Sequence, residues 1–423
     1  MAEPGATLPF SAGMARAPLA PTARPGVLRM AVLLAVAPLF FQSFHYVIDL
    51  PPLYALSKAW PLLTLPLAIV ALLACRLPHA ALYVALLAYA LGLTPLLAAL
   101  HLGSGLAEAL AATLRSMPLV YGLSFAGCLW LLRPAEAELR RVILLLGAGS
   151  FALLWLFWLG MPLDAYRSDP TESQVFFRDN ERGFRIVIMM NFALITSFWL
   201  ARRAVRRRSL ACALGVLAAL LTMALIYKQR MVIAAALVVL GLTMLRGMAP
   251  RWRLLALLAG GAAALAGLFV WAFVLQQSAG EVLGGSLSVR VRSAGLAWDF
   301  IGHDPWRWLF GVGSTTGFSA VTLADILGYR SFYLTDIGWL GVVMEFGLLG
   351  AGLVMAALLH CVAAARRLAR ASGDDFHGAL ADWALLLLLI TFVYSPVYAP
   401  GEMASLTALV WYLAHGRPQE MRR

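Results

Sequence analysis

The chain has 423 residues, of which 62% are hydrophobic and only 13% charged, and it carries a formal net charge of +12 at pH 7. With a mean hydropathy of +0.82, it has too little polar surface to cover its apolar content in water, which excludes an ordinary soluble protein. The positive charge sits in short arginine runs between apolar stretches, as membrane orientation signals do; no basic domain with interleaved aromatics is present to hold nucleic acid.

Residues 1–26 are rich in Pro and Ala and carry Arg16 and Arg24. No small-residue cleavage site follows them, so they read as a disordered cytoplasmic tail ahead of an uncleaved anchor. A membrane helix needs about 20 mostly apolar residues. Such stretches fall at 27–46, 60–75, 80–100, 106–132, 142–162, 184–201, 209–227, 231–245, 254–276, 337–360, 382–396 and 403–414. The expected fold class is an all-α integral membrane protein of about twelve transmembrane helices. Nine of them lie over 27–276 and three over 336–415, with a tail at 416–423. The break Pro396-Val397-Tyr398-Ala399-Pro400-Gly401 leaves a re-entrant pair open at the end.

With the N-terminus inside, one face collects Arg133, Arg140, Arg141, Arg202, Arg203, Arg206, Arg207, Arg208, Arg246, Arg251, Arg253, Arg366, Arg367 and Arg370. Acids such as Asp164, Asp179, Asp299, Asp304 and Asp336 fall on the other. The positive-inside rule then puts both termini in the cytoplasm. Two outer segments are too long to be mere connectors. Residues 163–183 mix both charge signs, and 277–335 form one large late loop, periplasmic if the cell is bacterial. That loop holds Trp298, Phe300, Trp306, Trp308 and Phe310, and its stretch Leu287–Ile301 reads as an amphipathic helix at the membrane interface.

Cys75, Cys128, Cys212 and Cys361 lie in or beside apolar segments without CxxC spacing, as small buried side chains do. No HExxH, outer DxD pair, Walker A or GxSxG motif occurs, so neither a metal nor another cofactor is expected, and ATP is not the energy source.

Several charges near the outer face have two readings each. Lys228 and Arg230 in a short outer turn either snorkel to head groups or form a cationic pocket. Arg290 and Arg292, two residues apart on a helix, point about 200° apart and cannot share one site, so one anchors the helix while the other turns inward. Asp336 is either a helix N-cap or a reactive carboxylate. Glu345, deep in the next apolar run, reads as a tether to a polar partner. Glu108, Arg115 and Arg185 are further outer-leaflet charges. Arg185 and Arg178 either pair with acids of the 163–183 loop or extend a phosphate clamp.

The run SLSVRVRSAGLAWDFIGHDPWRWLFGVGSTTGF, followed by YLTDIGWLGVVMEFGLLGAG, resembles the O-antigen ligase and O-antigen polymerase superfamily of bacterial membrane glycosyltransferases. The resemblance covers roughly residues 225–355 and implies a GT-C-like fold. It matches Arg230 and Arg290 to two functional arginines and sets Asp336 where the family has a histidine, with Leu340, Glu345, Gly347 and Gly350 in step. The implied activity is metal-independent, inverting glycosyl transfer at the periplasmic face of the bacterial inner membrane. The donor is a glycan on undecaprenyl diphosphate, and the acceptor a glycan or lipid. Asp for His favours a polymerase of O-antigen, capsule or exopolysaccharide repeats over a ligase acting on lipid A core. On this reading Arg230 and Arg290 stabilise the leaving diphosphate, and Asp336 accepts or orients the acceptor hydroxyl. Lys228, Arg292, Arg185, Arg178 and Tyr333 bind diphosphate or glycan. A chain-length regulator protein is an expected partner, beside membrane lipid. The competing readings are a lipid-linked oligosaccharide flippase and a non-catalytic scaffold.

Overall fold

The structure, a computed structural model, describes residues 26–415 except 46, 76, 104, 169–172, 174, 180, 181, 189, 252, 256, 257, 259, 261–283, 315–322, 330, 331 and 398. The two expected tails, most of the 254–276 span and the start of the 277–335 loop therefore lie outside the described residues.

The chain runs through α1 (Val27–Phe40), α2 (Pro51–Leu63), α3 (Leu65–Ala74), α4 (Ala80–Ala88), α5 (Thr94–Leu102), α6 (Leu106–Thr113), α7 (Tyr121–Leu132) and α8 (Glu136–Gly160). A hairpin of β1 (Phe176–Asp179) and β2 (Gly183–Ile186) follows, then α9 (Asn191–Arg207), α10 (Leu210–Thr222) and α11 (Arg230–Gly247). The late part holds α12 (Gly284–Ile301), α13 (Pro305–Phe310), α14 (Leu323–Leu327), α15 (Gly338–Ser372), α16 (Asp375–Ile390) and α17 (Pro400–His415). The protein is mostly helical, as a chain surrounded by lipid must be to satisfy its own backbone. Among the described residues, six helical stretches are long and apolar enough to cross a membrane: 51–74, 80–102, 136–160, 210–227, 230–247 and 334–372. Leu73, Leu100, Leu159 and Leu210 are each more than 70% exposed on such helices, which is costly in water and costless in hydrocarbon.

Several element boundaries differ from those the apolar pattern suggests, and three of the differences have a plain local cause. The helix expected from residue 184 starts at Asn191, because Gly183 (φ +67) turns the chain and residues 183–186 pair as β2. The 106–132 stretch divides between α6 and α7 at Pro118, whose missing N–H interrupts the helical ladder in a short 3-10 turn. α16 begins well before residue 382, where the Asp374 side chain accepts from the Phe376 N–H at 2.7 Å and caps it.

The centre of the bundle is aromatic: Phe40, Phe41, Phe125, Phe198, Trp383 and Trp411 are fully buried. α9 runs from the hairpin at one end to an arginine-rich end at the other. There Arg202 grips Asp382 through two bonds of 2.6 and 2.8 Å, and the Thr243 hydroxyl donates to the same carboxylate at 3.1 Å. Arg140 pairs with Asp374 and Arg206 with Asp375 at the same end.

α15 packs against α4, α12, α13, α16 and α17, and it is broken at Gly347 (φ 62, ψ −177). The loop after α13 enters this break. The Val312 N–H donates to the Met344 carbonyl at 2.8 Å and Gly313 N–H to that of Glu345 at 3.0 Å. The Tyr89 hydroxyl bridges the carbonyls of Phe310 and Phe346. A Cβ on Gly311 would lie 2.5 Å from the Glu345 carbonyl oxygen, so the two backbones can meet this closely only through glycine. This crossing fastens the segment after α13 to α15.

Candidate functional site

A cavity of about 560 Å³ opens among β1, β2, α9, α11, α16 and the segment joining α16 to α17. Its wall is mainly apolar, with Leu194, Val232, Trp383, Leu387 and Ile390, and a few polar groups converge on it, which is the usual make-up of a ligand site. The 16 residues of α17 reach only about 24 Å, short of a hydrocarbon core of about 30 Å. The chain before α17 is non-helical, and its Thr391, Tyr394, Ser395, Pro396 and Ala399 all face the cavity. Irregular backbone at membrane depth is tolerated where it lines a wet cavity or is buried in protein.

The hairpin delivers the first cation. Strand pairing sets Phe177 opposite Arg185 and Arg178 opposite Phe184. Alternation therefore puts Phe177 and Arg185 on one face, and both line the cavity, with the guanidinium 4.8 Å from the Phe177 ring. Arg178 is exposed on the other face against Phe184. Arg178 and Arg185 thus cannot form one clamp, contrary to one of the two expectations for them. Arg185 also pairs with Asp179 at 3.5 Å. Burial, then the nearby Arg182, lowers its affinity for its proton, while Asp179 opposes them; the guanidinium stays charged at any ordinary pH. Its Nε is buried with no hydrogen-bond partner.

The second cation is Arg290 on α12. Its guanidinium reaches Asp336 at 3.7 Å and lies 5.7 Å from the Tyr394 ring, and its Nε too is buried without a hydrogen-bond partner. Tyr394 lines the cavity and feels the charge of Arg185 as well. Arg292 turns away and covers the Tyr329 ring at 4.3 Å, as the helical spacing requires. Asp336 lies on the cavity wall and accepts from the Thr335 hydroxyl. It does not cap α15, whose N-cap is Ile337.

The other expected residues are placed elsewhere. Lys228 is occupied: its ammonium donates to the carbonyls of Arg182 and Phe184 at 3.0 and 2.8 Å and sits over the Trp158 ring. It pins the hairpin and does not line the cavity. Arg230 is exposed at the start of α11, beside Gln229, which does line it. Tyr333 is half-exposed just before the 3-10 turn that carries Asp336. Glu345 is fully buried and its carboxylate is held by Arg115.

Glu402, Asn191, Tyr227 and Tyr394 also line the cavity and were not among the expected site residues. Glu402 and Asn191 carried a signal, since each is a polar residue set in an apolar stretch, the feature that marked Glu345. Tyr227 and Tyr394 carried none. The chain matches no protein-family model and none of the curated proteins.

Proposed function

We propose that the protein is a polysaccharide polymerase of the bacterial inner membrane, with about twelve spans, cytoplasmic termini and a periplasmic cavity. It joins glycan repeats carried on undecaprenyl diphosphate. The observation that carries this reading is a pair of guanidiniums, Arg185 in the wall of an apolar-lined cavity and Arg290 near Tyr394 of that wall, whose buried Nε atoms lack hydrogen-bond partners. A diphosphate supplies acceptor oxygens for both donors. Two fixed cations can stabilise its developing charge without a metal. The apolar wall suits the polyprenyl chain, and Asp336 holds Arg290 in place. On the resemblance, Arg230 had this role; the cavity supports Arg185 in its stead.

The test is chain length of the surface polysaccharide in the organism that carries the gene. Arg290→Ala and Arg185→Ala are each expected to abolish the polymer ladder at unchanged protein level, with single repeats accumulating in the outer leaflet. A full-length ladder in both variants would sink the proposal. A second reading, a lipid-linked oligosaccharide transporter, is favoured by the non-helical segment at membrane depth. In that case the same variants trap the repeats in the inner leaflet.

A further inference from the structure

We infer that the Glu402 carboxylate is the base that takes the proton from the acceptor sugar hydroxyl. This deepens the polymerase reading and rests on it.

Glu402 lies in the first turn of α17 and is 8% exposed, facing the same cavity as Asp336 and Arg185. Its carboxylate accepts a hydrogen bond from the Asn191 side chain, which in turn donates to the Phe41 carbonyl at 2.8 Å and is thereby fixed in direction. Among the described residues no Lys, Arg or His forms an ion pair with it. The other charged or titratable groups about it are Tyr227 and Tyr394 on the wall, Arg185 on β2 and Asp336 before α15. His45 stands behind Gln42, whose amide oxygen accepts from the Gly401 N–H.

The two cavity carboxylates therefore differ in kind. Asp336 is tied to Arg290 and is about one third exposed. Glu402 is buried on the cavity wall and, among the described residues, no cation pairs with it, so its carboxylate is open to a substrate hydroxyl. A space of 560 Å³ is about 10 Å across if round, so it takes one pyranose ring. A guanidinium and a buried carboxylate on the wall of one cavity suit an in-line displacement. In such a reaction the base and the leaving group lie on opposite faces of the sugar.

In the step itself, the acceptor oxygen forms a bond to the anomeric carbon as the bond from that carbon to the diphosphate oxygen breaks. The leaving oxygen keeps the electron pair near Arg185 and Arg290, and the hydroxyl proton passes to Glu402. Water in the cavity then takes the proton and restores the carboxylate.

The experiment uses right-side-out membrane vesicles from the native organism, which contain the full chain and its own lipid-linked repeats, and follows polymer growth from pH 5 to 9. Glu402→Gln is expected to slow elongation about 100-fold or more, the usual share of a general base, and to erase the acid limb of the pH–rate profile. Glu402→Asp keeps the limb and part of the rate, and Asp336→Asn keeps the limb whatever its rate. The inference is overturned if Glu402→Gln elongates within threefold of wild type, or slows while keeping its acid limb, as a purely structural residue would. It is equally overturned if Asp336→Asn is the variant that loses the limb. Should wild-type vesicles make no polymer while the deletion strain's surface glycan stays intact, the polymerase reading itself fails.

Discussion

Among single residues, the pair most exposed to a decisive test is Arg115 and Glu345. Glu345 is fully buried in α15, and its carboxylate is held by an arginine contributed from far earlier in the chain. Removing one member of such a pair leaves an uncompensated charge, at a cost of about 3–5 kcal/mol. Glu345→Ala and Arg115→Ala are each expected to lower the thermal unfolding temperature in detergent by many degrees. The double variant Arg115→Met with Glu345→Met is expected to lose less than the sum of the two, since no orphan charge remains. Strictly additive losses would mean that the two groups do not support each other. The same physics explains what a reading of residues can find. An acid in an apolar run is expensive wherever it stands, so Glu345, Asp382 and Glu402 all announced a partner or a cavity, although only the first was singled out. Which partner each has depends on packing between distant helices, and nothing local encodes that Asp382 meets Arg202 and Thr243.

At the scale of elements, the apolar pattern locates helices well and their interruptions poorly. Hydrophobic content does not distinguish β2 from the start of α9, because Phe184, Ile186 and Ile188 suit either; the choice is made by Gly183 and by strand pairing with Phe176–Asp179. That choice moves Arg185 from a helix end to a strand face, and so onto the cavity. The break in α15 is hidden in the same way, since Gly347 and Gly352 look alike in the sequence. Gly347 has φ 62 and meets the backbone of Leu309 and Phe310, whereas Gly352 is in regular helix with open space around its Cα. Gly352→Ala is therefore expected to be neutral or to stabilise by about 0.5–1 kcal/mol, as alanine does in helix interiors. Gly347→Ala combines a left-handed backbone with a collision that no side-chain rotation relieves, and it should cost more than the roughly 1–2 kcal/mol of the backbone conformation alone. Thermal unfolding of the two variants beside wild type checks this. Equal behaviour would mean that the crossing with the Gly311 loop is not maintained in the membrane.

For the whole molecule, the question is which end of the bundle faces which compartment, because the polymerase reading needs the cavity to face outward. Charge gives a direction. Arg202, Arg206, Arg140 and Arg246 gather at one end around Asp374, Asp375 and Asp382, while the hairpin, α12 and Asp336 lie at the other. The positive-inside rule assigns the arginine end to the cytoplasm. The four native cysteines allow a clean test, since Cys75, Cys128 and Cys361 are buried and only Cys212 is partly open. In a Cys212→Ala background, Asp299→Cys on α12 and Arg207→Cys at the end of α9 each introduce one exposed thiol. A membrane-impermeant maleimide added to intact cells with a permeable outer layer should label Asp299→Cys at once and Arg207→Cys only after the inner membrane is opened. The reverse pattern would turn the cavity toward the cytoplasm, where a lipid-linked glycan would have to be met before it crosses the membrane. The polymerase reading and the role assigned to Glu402 would then fall together, whereas the fold and the Arg115–Glu345 pair would be untouched. Orientation is thus the one global property on which the chemistry depends, and it can be measured without knowing which sugar the protein handles.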